Sequence, residues 1–166
     1  MSDFHLLLEE EIPKLLRYAT ALTRDADEAA DLVEETVRAA LTEHRRCRGN
    51  LRIWLLTILH DLRGNPFRYS FDTAETPAAE PKAPLTLSQL DRALGQLPVE
   101  QRAVILLIGL EGLSYSETAA VLRITLGATR SRLSRGRAAL HRAMRVEAVR
   151  VEAVRVEPAP RVARAA

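Results

Sequence analysis

Apolar residues recur at three- and four-residue spacing between Leu6 and Leu22, at Leu8, Ile12, Leu15, Leu16, Ala19 and Leu22. That spacing predicts an amphipathic helix, with Pro13 near its start marking a first turn or a kink. T-R-D-A-D-E then supplies capping residues for a second helix from Ala26 to Glu43, whose apolar stripe is Ala29, Leu32, Val33, Thr36, Val37, Ala40 and Leu41. The other face of this helix carries Asp27, Asp31, Glu34 and Glu35, and read alone such a face is a solvated surface. A third helix, Leu51 to about Arg63, is predicted to bury Ile53, Trp54, Leu56, Thr57, Ile58 and Leu62. Gly64-Asn65-Pro66 ends it, since the residue before a proline disfavours helical backbone.

Phe71 to Pro84 holds three Pro and four Ala with scattered acids, the composition of a flexible linker. Leu85 to Leu97 predicts a short helix stopped by Pro98. Val99 to Ile108 is apolar almost all round and belongs at the centre of a second core. From Leu110 to Leu140 two helices are predicted across a tight turn. Ser114 is the candidate N-cap of the first, and Glu117 three residues on completes a capping box. Ala119, Ala120 and Leu122 give it a face that another helix can approach closely. A second start signal at Thr125 precedes a helix with Arg130, Arg132, Arg135 and Arg137. Two short helices of this kind fit the helix-turn-helix plan for entering a major groove, or a plain helical hairpin with a solvated basic face. After Arg145 the pentad R-V-E-A-V repeats. A spacing of five matches neither helix nor strand, so the first pentads extend the preceding helix through Glu–Arg pairs and the end is expected to be disordered. The chain thus divides into an all-α domain over residues 1–70, a linker over 71–84, a second all-α domain over 85–145 and a tail over 146–166.

Composition narrows the function classes. Of 166 residues, 47% are apolar and only 4% aromatic, so the cores are built from Leu, Val, Ile and Ala. The net charge of +2 hides a segregation. Residues 1–70 hold 10 basic and 12 acidic side chains, 71–100 hold 2 and 5, and 101–166 hold 12 and 5. Between Arg123 and Arg145 there are seven Arg and no acid, which points to a polyanion partner for the second domain. Cys47 stands alone, and His5, His44, His60 and His141 are scattered. No metal cluster, glycine-rich phosphate loop or activated nucleophile is evident, so neither catalysis nor a cofactor is expected. No apolar run approaches a membrane span and no signal-peptide pattern opens the chain, so a cytoplasmic location is expected.

Four blocks, taken together and in order, resemble the extracytoplasmic-function (ECF) sigma factors of the bacterial sigma-70 family. They are D-L-V-E-E-T from Asp31, N-L-R-I-W-L-L-T-I-L-H-D from Asn50, L-D-R-A-L-G-Q-L-P-V-E-Q-R-A-V-I-L-L from Leu90, and G-L-S-Y-S-E-T-A-A-V-L followed by S-R-L-S-R-G-R-A-A-L. The resemblance implies region 2 and region 4 domains that bind core RNA polymerase and promoter DNA, with an anti-sigma factor as a further partner. It implies that Asp31, Glu34 and Glu35 dock on the beta-prime coiled coil. It implies that Leu126, Ala128, Arg130, Ser131, Arg132, Ser134 and Arg135 meet the −35 element. Trp54, Arg63 and Arg68 are the matching candidates for the −10 element, and here the chain departs most: Gly64-Asn65-Pro66 interrupts what in the family is a basic run. Arg123 also stands where a turn glycine is usual, Ala128 where Thr is usual, and Thr129 where Val is usual.

The leading expectation is an ECF-type sigma factor. The alternative, favoured by the weakened basic segment, is a sigma-like decoy that binds an anti-sigma factor without productive promoter contact. A stand-alone helix-turn-helix regulator leaves the D-L-V-E-E-T block unexplained.

Overall fold

The computed structural model describes the backbone of residues 2–64 and 86–156, and side chains over 4–64 and 86–146; the expected linker and Arg68 lie outside these ranges. Seven α-helices fill the described residues: α1 Ser2–Thr23, α2 Ala26–Glu43, α3 Leu51–Leu62, α4 Leu87–Gly95, α5 Val99–Gly109, α6 Tyr115–Leu122 and α7 Leu126–Val156, with one 3-10 turn at His44–Arg46. Local chemistry sets the boundaries. Asp25 caps α2 by accepting from the Asp27 and Glu28 amides, and Asn50 caps α3 by accepting from that of Ile53. Thr86 with Gln89 and Ser114 with Glu117 close capping boxes on α4 and α6, each satisfying amides that a helix start leaves open. Helix α7 runs 31 residues, past the expected boundary at Arg145, because no Gly or Pro interrupts the sequence between Arg137 and Glu157 and Ala, Arg and Glu are strong helix formers.

Helices α1, α2 and α3 pack together as one unit, and α4 to α7 as another, α7 lying against α4, α5 and α6. The buried side of α2 is Ala29, Leu32, Val33, Thr36 and Ala40, the predicted stripe without Val37, which is half-buried, and Leu41, which is exposed. On α3 the buried set is Leu55, Leu56, Leu59 and His60. Trp54, expected in the core, is half-buried, and Leu62 is exposed.

Two domains free to move apart on a linker are expected from the sequence. Among the described residues they are docked instead, α1 against α5 and α3 against α6, and their buried residues form a single apolar cluster. Long-range polar contacts accompany the apolar ones. Arg102 of α5 is buried and donates to the Leu94, Gly95 and Leu97 carbonyls at the end of α4 and to the Leu22 carbonyl at the end of α1. It thereby closes the open carbonyl ends of two helices belonging to different domains.

Candidate nucleic-acid interface and acidic docking face

Helix α6 ends on Arg123, which adopts left-handed backbone (φ 53°, ψ 42°) and donates its amide to the Ala119 and Ala120 carbonyls. The Ile124 amide reaches the Ala119 carbonyl at 3.0 Å, so the chain reverses within a few residues. Thr125 opens α7, its Oγ1 accepting from the Ala128 amide at 3.1 Å. The turn and both helix starts are therefore satisfied locally, and α7 is presented at a fixed angle to α6.

The two sides of α7 are distinct. Leu126, Arg130, Ser134 and Arg137 are exposed at four-, four- and three-residue steps, which places them on one face. Ala128, Ser131 and Arg135 flank that face and are half-buried, the Arg135 guanidinium donating to Ser131 Oγ at 2.9 Å. Arg132, expected with the others at DNA, is turned inward and only 3% exposed. The reason is register: position 132 shares a stripe with Thr129, Leu133 and Gly136, the face that meets α5. Burial lowers the Arg132 pKa, with the Glu100 carboxylate of α5 acting the other way. The close approach is made at Gly136, where a Cβ would stand 2.9 Å from Ile105 Cδ1 and 3.3 Å from the Gln101 carbonyl oxygen.

On the first domain, Asp31, Glu34 and Glu35 are all exposed on α2. Arg38 reaches Glu34 at 2.6 Å one turn on. Trp54 lines an open groove between α2 and α3 with Thr57, Ile58, Asp61 and Leu62, and Arg123 of the second domain is part of the same lining. Arg63 leaves α3 toward Glu28 at 3.7 Å, so Trp54 and Arg63 do not build one surface.

Sequence reasoning misses the contacts that join the domains. Arg123 pairs with Asp61 through two hydrogen bonds of 2.8 and 2.6 Å, and Arg24 grips both carboxylate oxygens of Asp91. Glu111, its side chain 2% exposed, meets Arg17 at 3.2 Å and Arg52 at 3.7 Å. Within the first domain, Tyr18 and His60, both fully buried, share a hydrogen bond of 2.7 Å that sequence reasoning misses as well. Burial, with the Glu111 carboxylate, pushes the Tyr18 phenol well above its usual range, and burial, with Arg63, brings His60 down to about 3. The one signal available in the sequence is Arg123 itself, a bulky residue at a turn that favours glycine.

Residues 87–140 match the family model of sigma-70 region 4, and residues 8–60 match that of the Sigma2 domain of PhyR. Over 141 residues the chain is 33% identical to the ECF RNA polymerase sigma factor EcfG of Rhodopseudomonas palustris, with 78% of each chain covered. The chain belongs to the ECF RNA polymerase sigma factors. The fold of this sigma factor is also that of RpoE from Bartonella quintana, solved with the anti-sigma factor NepR, at a TM-score of 0.71 and 31% identity over 88% of this chain and 99% of that one. It shares its fold, at 18% identity and a TM-score of 0.56, with the anti-anti-sigma factor PhyR of the same organism, over 80% of this chain and 48% of that one. Among the sigma factor's described residues no helix is long and apolar enough to cross a membrane, and no group of three or more His, Cys, Asp or Glu could hold a metal.

Proposed function

We propose that the chain works as a promoter-recognition subunit in the cytoplasm, through two binding surfaces and without catalysis of its own. The acidic face of α2, with Asp31, Glu34 and Glu35, docks on the beta-prime coiled coil of core RNA polymerase. The exposed face of α7, with Leu126, Arg130 and Ser134, enters the major groove of the −35 element. The observation that carries this reading is the single exposed face shared by Leu126, Arg130, Ser134 and Arg137 beyond a fully capped turn. Arg130 lies about one turn into the recognition helix, where base edges are met, and an arginine fork on guanine gives roughly 1–3 kcal/mol of discrimination. Arg137, two turns on, suits a phosphate.

Run-off transcription with purified core polymerase over a promoter library tests the whole reading. Within it, reversing Asp31 and Glu35 to Lys abolishes core binding with helix content unchanged by circular dichroism. Co-purification with core polymerase at unchanged affinity would rule out the acidic face as the contact.

A second reading, a sigma-like decoy that occupies an anti-sigma factor, draws on the match of residues 8–60 to the PhyR domain model and on Arg63, which is turned to Glu28. Under that reading the chain gives no run-off product on any promoter while it still takes up an anti-sigma protein.

A further inference from the structure

Among the described residues the non-glycine positions with positive φ are two arginines, Arg24 and Arg123. Each follows a helix end, α1 and α6 respectively, and each reaches across the domain boundary to grip an aspartate with two hydrogen bonds. Left-handed backbone strains any residue with a Cβ, and glycine relieves that strain. An arginine in such a place keeps its guanidinium at the cost of backbone ease. For Arg123 the guanidinium leaves from the turn between the two helices of the motif, next to the start of α7. Its fork meets Asp61 at 2.8 and 2.6 Å, the bidentate geometry that also fits a phosphate.

We propose that Arg123 is a DNA phosphate-binding residue that the free chain keeps occupied with Asp61, so that duplex DNA and the N-terminal domain compete for one guanidinium. This rests on the reading of α6 and α7 as a DNA-binding helix-turn-helix. Three features make the exchange workable. The Arg123 and Asp61 side chains are 51% and 41% exposed, so water and ions reach the pair and it is weak and easily exchanged. Phosphate offers the same two-oxygen acceptor with released counterions as an added gain. The pair also lines the groove that holds Trp54, with Glu43 and Arg46 as its other charged lining. When Arg123 turns to DNA, the α3 face bearing Trp54 opens as well. The free sigma factor is thereby held in its docked form, and promoter DNA takes part in opening it.

The test is duplex binding by the full chain, followed by fluorescence anisotropy with a short mixed-sequence duplex across a salt series. Mixed sequence suffices because phosphate contact is independent of bases. Asp61→Asn frees Arg123 and binds several-fold tighter than the wild type. Glu10→Gln, on the exposed side of α1, makes the same charge change away from the pair and controls for net charge. Arg123→Gly relaxes the turn and so is expected to fold, yet binds more weakly, with a salt slope lower by about one. The double variant behaves as Arg123→Gly alone. A gain in Asp61→Asn no greater than in Glu10→Gln, or one that survives in the double variant, overturns the competition. If the wild type binds and Arg130→Ala weakens it while the Asp61 and Arg123 variants match the wild type, the competition falls and the helix-turn-helix reading stands. If the wild type binds no duplex even at low salt, both fall.

Discussion

His60 is a neutral imidazole sealed in the core of the first domain, where its Nε2 meets the Tyr18 hydroxyl. Its pKa is brought from 6.5 to about 3, first by burial and then by Arg63, with Asp61 acting the other way. The unfolded chain therefore binds one more proton than the folded chain between those two values. Stability contributed by the neutral ring is complete above about pH 6.5 and is lost as the pH falls through that window, at about 1.4 kcal/mol per pH unit. Urea unfolding at pH 7 and pH 5 is expected to show this loss, and His60→Gln to flatten it. An equal pH dependence in the variant would assign the effect to other groups. Tyr18→Phe removes the phenol that meets His60 Nε2 at 2.7 Å, a buried hydrogen bond whose loss has an expected cost of about 1–3 kcal/mol. Neither residue was legible as a pair in the sequence. Tyr18 and His60 lie 42 positions apart, and nothing in either helix's own period links them.

At the scale of the element, what is legible is what is local. The limits of α2 and both capping boxes follow from residues within four positions of each other, and the motif Ser114–Glu117 closes as the spacing predicts. The face that α7 shows to solvent follows only in part. Arg130 and Arg132 read alike in sequence, two cations in a basic run, but a helix places them about 200° apart. Which of the two is outward depends on where α5 lies, and that is fixed by Gly136. There α5 comes so near that a Cβ would stand 3.3 Å from a backbone oxygen of Gln101. Ala at 136 would regain about 1 kcal/mol of helix propensity against that crowding, so the decisive substitution is larger. Gly136→Leu is expected to cost about 3 kcal/mol or more by overpacking and to shift α7 off α5, weakening duplex binding together with stability. A variant of wild-type stability would mean that α5 and α7 are not in close contact. Ser114→Ala, which removes one half of a cap at the start of α6, is expected to cost only about 1 kcal/mol, read as a drop in melting temperature.

The whole molecule is held in one piece by contacts that no periodicity announces, and Glu111 shows how asymmetric they are. Its carboxylate is buried (2% exposed), whereas its partners Arg17 and Arg52 are 54% and 29% exposed and Arg52 has Glu11 at 2.9 Å besides. Removing the acid leaves two arginines that water and Glu11 can satisfy, so Glu111→Gln is expected to leave the domains docked at a cost of about 1 kcal/mol. Removing both arginines leaves a carboxylate inside the joint with its charges gone, which in a buried pair costs about 3–5 kcal/mol. Glu111 follows α5, at the face where α1 and α5 meet, and parting the domains returns it to water without unfolding either. Arg17→Ala with Arg52→Ala is therefore expected to open the molecule rather than melt it. Small-angle scattering of the full chain should show a larger radius of gyration for the double variant and none for Glu111→Gln. Trp54 lies in the first domain alone, so its fluorescence and the far-UV signal should follow one thermal transition in the wild type and two in the open variant. An unchanged radius with a single transition at lower temperature would mean that the joint is held by its apolar contacts and by Arg102, with the carboxylate merely tolerated there.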